Sequence, residues 1–100
     1  MSSSKQLVVP DFNDFRWVLQ AHAMLGAFYN ALGNQKKCEA AYVMYIKLLE
    51  QFYGEVSLEA SNSYFLMGAY YHEQGDLMLH KAIACFGKSY SLRKKMFQTD

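Results

Sequence analysis

The chain has little of what several functional classes require. A single proline, Pro10, stands among 100 residues, so nothing after it interrupts a helix by removing a backbone donor. Charge of one sign is scarce: the net value is only +1, and without a positive field nucleic acid is not expected as a partner. No apolar run approaches the roughly 20 residues that cross a bilayer, so no membrane partner is expected either. Met1 to Pro10 lacks the apolar centre of a secretory signal and reads as a flexible lead-in. The two cysteines, Cys38 and Cys85, have no CxxC spacing. They read as small buried hydrophobes in a reducing compartment rather than as a disulfide or metal pair.

What is present is bulk. Apolar residues make up 52% of the chain, with eight Tyr, seven Phe and six Met, enough for one domain to bury a core without metal or disulfide support. This composition favours long helices over a turn-rich β fold.

An internal repeat organises the pattern. Leu25 to Asn34 aligns with Met67 to Asp76 at an offset of 42, with identities at Gly, Ala, Tyr and Gly. Extended without a gap, the same offset carries Ala40 onto Ala82, Met44 onto Phe86 and Leu48 onto Tyr90. The breakers then divide the chain into four helices. Asp11 is placed to cap helix one, with Asp14 near its positive end, and Phe15, Val18, Leu19, His22, Leu25, Gly26 and Tyr29 follow at helical spacing until Gly33. Asn34 caps helix two, whose stripe is Ala40, Ala41, Met44, Tyr45, Leu48, Leu49 and Phe52, ended by Gly54 as a left-handed cap. Ser57 begins helix three, with Tyr64, Met67, Gly68 and Tyr71 on its inner face. Gly75 ends it, and Asp76 caps helix four, which runs through Ala82, Phe86, Ser89 and Tyr90. The expected fold is all-α: two antiparallel helical hairpins, residues 14–54 and 56–97, within a domain spanning 11–100. Glycine inside a helix costs about 1 kcal/mol relative to alanine, so Gly26 and Gly68 at one repeat position imply close helix crossings, with Ala40 and Ala82 as the facing small residues.

These positions resemble the tetratricopeptide repeat. Tyr64, Met67-Gly68, Tyr71, Gly75, Ala82 and Phe86 follow its signature in the second copy; His22, Leu25-Gly26, Tyr29, Gly33, Ala40 and Met44 follow it in the first, with His22 departing from the usual aromatic. The long period resembles that of kinesin light chains and of the repeat domains that follow MYND-type methyltransferase modules. Two residues stand inserted before Ala82, and equally before Ala40, relative to the shorter repeat. The resemblance implies a right-handed solenoid and scaffolding rather than catalysis. It also implies a peptide site on the first helix of each hairpin, while the cysteine usage and the lack of a spanning run or secretory signal point to a cytoplasmic setting, with cytoskeletal or ciliary association as an option. Projected onto this chain, that site is Gln20, Ala23, Ala27 and Asn30 on helix one and Asn62, Phe65, Ala69 and His72 on helix three. Amides there can pair with any peptide backbone, and the alanines leave room for it.

A second surface follows from counting. Repeat arrays need about three repeats for stability and this chain shows two, so its end helix should be covered. Phe86, Tyr90, Met96 and Phe97 are the expected oligomer interface, whether in a homodimer or in a longer parent protein. Catalytic and metal chemistry find no footing. His72, His80 and Cys85 fall on different helices or faces; His72-Glu73 lacks a second histidine; the glycines are isolated rather than grouped into a phosphate loop. No cofactor is expected, and the partner class is a protein or peptide. Arg93-Lys94-Lys95 sits where a helix dipole favours cations in any case, whereas Lys36-Lys37 opposes the dipole and hints weakly at an acidic partner.

Overall fold

The computed structural model describes residues 12–98, and those residues are all-helical. Helix α1 spans Phe12–Ala31, α2 Gln35–Tyr53, α3 Leu58–Glu73 and α4 Leu79–Phe97, with a 3-10 turn at Asp76–Met78. The lead-in and Asp11 lie outside the described residues, as does the side chain of Asp14. Among the described residues no helix is long and apolar enough to cross a membrane.

The helix ends follow the local chemistry. After α1 the chain closes with Gly33 N–H on the Asn30 carbonyl and Asn34 N–H on the Tyr29 carbonyl, at 3.0 and 2.9 Å. This paired reverse bonding needs the positive φ of 80° that Gly33 adopts. Asn34 Oδ1 then accepts from Lys37 N–H at 3.2 Å, and Ser57 Oγ accepts from Ala60 N–H at 3.1 Å, so both expected caps form. Asp76 does not cap α4. It opens the 3-10 turn, and α4 starts three residues later behind Met78, which supplies no side-chain cap.

The chain divides into two compact units, Met1–Tyr45 and Ile46–Asp100. In the first, α1 and the opening turns of α2 form a hairpin in which Gly26 is buried and a side chain added there would strike the Tyr42 ring. In the second, α3 and α4 run antiparallel, paired from Ser61–Ser89 at one end, through Gly68 beneath Phe86, to Lys81 over the Tyr71 ring at the other.

The two glycine seats correct the register. A gapless offset puts Met44 opposite Gly26 as Phe86 lies opposite Gly68, yet Tyr42 takes that place, while Ala40 and Met44 are exposed. The fully buried small residue of α2 is Cys38, matching Ala82 in α4. The cause is the turn. Residues 32–34 join α1 to α2, whereas 74–78 join α3 to α4, two residues more, and everything after the longer turn is displaced by that amount. The two-residue insertion therefore belongs to the second hairpin alone.

In the second unit Tyr64 Oη donates to Glu50 Oε2 at 2.8 Å, and Lys88 Nζ lies over its ring, 5.7 Å from the centroid. Residues of α2, α3 and α4 thus meet at one phenol. Burial first, and then the hydrogen bond and charge of Glu50, push its ionisation well above the usual phenol range.

Two outcomes are expected. Gly87 faces open space, whereas a Cβ at Gly68 would lie 2.8 Å from Phe86 Cδ1 and Cε1. Gly87→Ala should therefore stabilise by about 0.5–1 kcal/mol through helix propensity. Gly68→Ala should lose that gain to overpacking of about 1–3 kcal/mol. Urea unfolding of both variants decides it, and equal effects would refute the close seat. Tyr64→Phe should cost about 1 kcal/mol at neutral pH. The folded state holds the Tyr64 proton more tightly than the unfolded chain, so this contribution is complete below about pH 10 and declines above it. The gap between wild type and Tyr64→Phe should accordingly narrow in alkaline urea titrations, and a constant gap would contradict the linkage.

Candidate functional site

The seam between α3 and α4 is built from small residues because the glycine seat draws the backbones together. Ala60, Ser61 and Ala82 are almost completely buried, and Ser89 nearly so. Two hydroxyls in such a place require partners, since a buried polar group left unpaired costs about 1–3 kcal/mol. They find each other: Ser61 Oγ donates to the Ser89 carbonyl at 3.2 Å and lies 3.1 Å from Ser89 Oγ. Arg93 Nε donates to Ser61 Oγ at 2.9 Å, which saturates the Ser61 hydroxyl as one donor and two acceptors. Arg93 Nη2 continues to Asn62 Oδ1 at the surface. Among the described residues no buried side-chain nitrogen or oxygen lacks a partner.

This polar clasp closes one end of a groove of about 530 Å³ lined by Asn62, Phe65, Phe86, Ser89, Tyr90 and Arg93. Its apolar part is aromatic. The Phe65 and Phe86 rings lie 5.3 Å apart at a tilt of 54°, and Tyr90 stands 68% exposed beside them. Among the described residues both partners of the Arg93 guanidinium are neutral oxygens, so they hold it in place without neutralising it.

The expected site residues fall as follows. On α3, Asn62, Phe65 and His72 are exposed and Ala69 is half-buried. Asn62 and Phe65 line the groove, whereas His72 sits in the last turn of α3. On α1, Gln20, Ala27 and Asn30 are exposed and Ala23 is half-buried. Asn30 Oδ1 accepts a long 3.4 Å bond from Gln35 Nε2 across the turn. Gln20 also borders a shallow trough of about 500 Å³ along α1 with Trp17, Ala21, Met24, Leu25 and Phe28. Trp17 is 73% exposed there.

Of the residues expected at an oligomer interface, Tyr90 and Phe97 point outward, Met96 is half-buried, and Phe86 is committed to Gly68 and Phe65. Phe86 and Tyr90 line the same groove as Asn62 and Phe65, so a part of each of two surfaces read separately from the sequence falls in one place; the other residues of both do not line it. Sequence reading passed over Arg93 as a cation at a helix end. The signal that singles it out is its position, three residues after Tyr90 and four before Phe97, on the groove stripe of α4. Lys37 Nζ lies 5.6 Å from the centroid of the Tyr29 ring, which compensates its place at the positive end of α2.

Cys38 is buried and Cys85 half-buried, and neither is in a disulfide. Among the described residues no three His, Cys, Asp or Glu side chains gather to hold a metal ion. No family model, curated protein or solved structure matches the chain.

Ser61→Ala removes the acceptor that holds Arg93 Nε. It is expected to cost about 1–2 kcal/mol in urea unfolding and to abolish slow solvent exchange of the Arg93 Nε proton in NMR spectra. An unchanged exchange rate would show that the clasp does not hold the guanidinium.

Proposed function

We propose that the chain is a non-catalytic protein-interaction module of tetratricopeptide-like helical hairpins, taking a peptide or protein segment on the outward stripes of α1 and α3. One observation supports the α3 part of this reading: the α3–α4 groove combines exposed aromatic surface from Phe65 and Tyr90 with amide and guanidinium groups from Asn62 and Arg93. Partially apolar concave surfaces with a few fixed polar groups are the usual form of a recognition site. Polar anchors beside aromatic rings also match the composition of interface hot spots. The lack of CxxC spacing between Cys38 and Cys85 in the sequence supports a reducing, cytoplasmic setting.

A second reading, an assembly element that docks through its fourth helix, draws on Tyr90 and Phe97, which are 68% and 69% exposed. Exposed aromatics of this kind on one helix face favour association.

The two readings separate in a single comparison. Wild type, an Asn30, Asn62, His72 triple-alanine variant and Tyr90→Glu are each checked for helicity, used to capture partners from lysate, and run in sedimentation velocity. The interaction module is expected to be monomeric and to lose a shared set of captured proteins in the triple variant. A concentration-dependent dimer dissolved by Tyr90→Glu, with capture indifferent to the triple substitution, would replace it with the assembly reading.

A further inference from the structure

The groove residues Phe86, Tyr90 and Arg93 fall on a helical stripe of α4 that the sequence continues through Leu79 and Ile83 on one side and Phe97 on the other, spaced four, three, four, three and four. That is the alternation by which one helix packs along another. Four of them, Leu79, Ile83, Tyr90 and Phe97, are exposed large apolar side chains. The α3 wall is Asn62 and Phe65, and the same spacing continues back along α3 to Leu58; Leu58 and Phe65 are exposed as well. Apolar anchors therefore recur about every 5 Å along α4, shorter than the ~6.7 Å between same-face residues of an extended strand. An extended segment would also need its backbone groups satisfied by the groove, whereas a helix satisfies its own.

Charge specifies the occupant further. Helix α4 carries Lys81, Lys88, Arg93, Lys94 and Lys95 and no Asp or Glu. Within its stripe the one ionic position is Arg93, pinned by Ser61 and Asn62 and not neutralised by either. A fixed guanidinium with unused N–H donors is a directional carboxylate receptor. We propose that the α3–α4 groove receives a single amphipathic helix of a partner protein, which lays apolar side chains at three-and-four spacing along α4 and presents an Asp or Glu to Arg93. The proposal rests on the interaction-module reading and names the class of partner it takes.

The test is an mRNA-display selection of random peptides of about 18 residues, roughly five helical turns, against the full chain, followed by NMR mapping of the winners. Winners are expected to show three-and-four apolar spacing with one invariant acidic position, to gain helicity on binding, and to shift the amides of Asn62, Phe65, Tyr90 and Arg93. Arg93→Gln should weaken them about three- to tenfold, the range of a partly exposed charged pair. Exchanging the acidic residue for its amide should cause a similar loss that does not add to that of Arg93→Gln, and Arg93→Lys should retain part of the affinity. Winners that map to the groove but bind extended, or whose acidic preference survives Arg93→Gln, overturn the proposal while leaving the interaction module standing. Winners that avoid the groove, or none at all, overturn both. A dimer of the wild-type chain in sedimentation velocity, dissolved by Tyr90→Glu, assigns the groove to a second copy and also overturns the proposal.

Discussion

The second unit depends on one close approach. Because Gly68 has no side chain, the ring of Phe86 lies directly on the backbone of α3, and the rest of the α3–α4 seam must be correspondingly thin. Small residues, Ser61, Ala82 and Ser89, are buried on these two helices, since larger side chains at the crossing would hold the axes apart. The same seat turns the exposed edge of Phe86 toward Phe65, which makes the floor of the groove. In the first unit Gly26 receives Tyr42 in the same manner, so an aromatic ring on a helical glycine is the recurring device of this chain.

A thin seam carries a polar consequence. Serine is small enough for it, but its hydroxyl has to be satisfied, and Ser61 and Ser89 achieve this only with help from the Arg93 side chain. The guanidinium is thereby withdrawn from the freely rotating cations at the end of α4 and fixed beside aromatic surface. Packing and recognition are linked here. The same interaction that completes the hydrogen bonding of the seam pre-orients the group best suited to read a charged ligand, which lowers the ordering cost of binding.

Tyr64 performs a related task further along the helices. Its bond to Glu50 and the position of Lys88 over its ring bring side chains of α2, α3 and α4 to one point. The phenol stays protonated because its surroundings are partly buried and hold a carboxylate. Its contribution is structural, and it leaves the groove chemistry to Arg93 and Asn62.

Much of this was legible in the residues alone. Helical class, the stops at Gly33, Gly54 and Gly75, the caps at Asn34 and Ser57, and the need for close crossings at Gly26 and Gly68 follow from local backbone chemistry, which acts within a few residues of itself. Asp76 was misjudged because a 3-10 turn and an α-helix N-terminus look alike in sequence. Which residues face each glycine was decided only by tertiary structure. A two-residue difference between the turns at 32–34 and 74–78 moves the partner of Gly26 from Met44 to Tyr42 and the small buried position from Ala40 to Cys38. Turn length sets where a returning helix begins, and side-chain spacing within that helix carries no record of it. The union of Asn62 and Phe65 with Phe86, Tyr90 and Arg93 in one groove likewise required the antiparallel pairing of α3 and α4, because residues some thirty positions apart become neighbours only through packing.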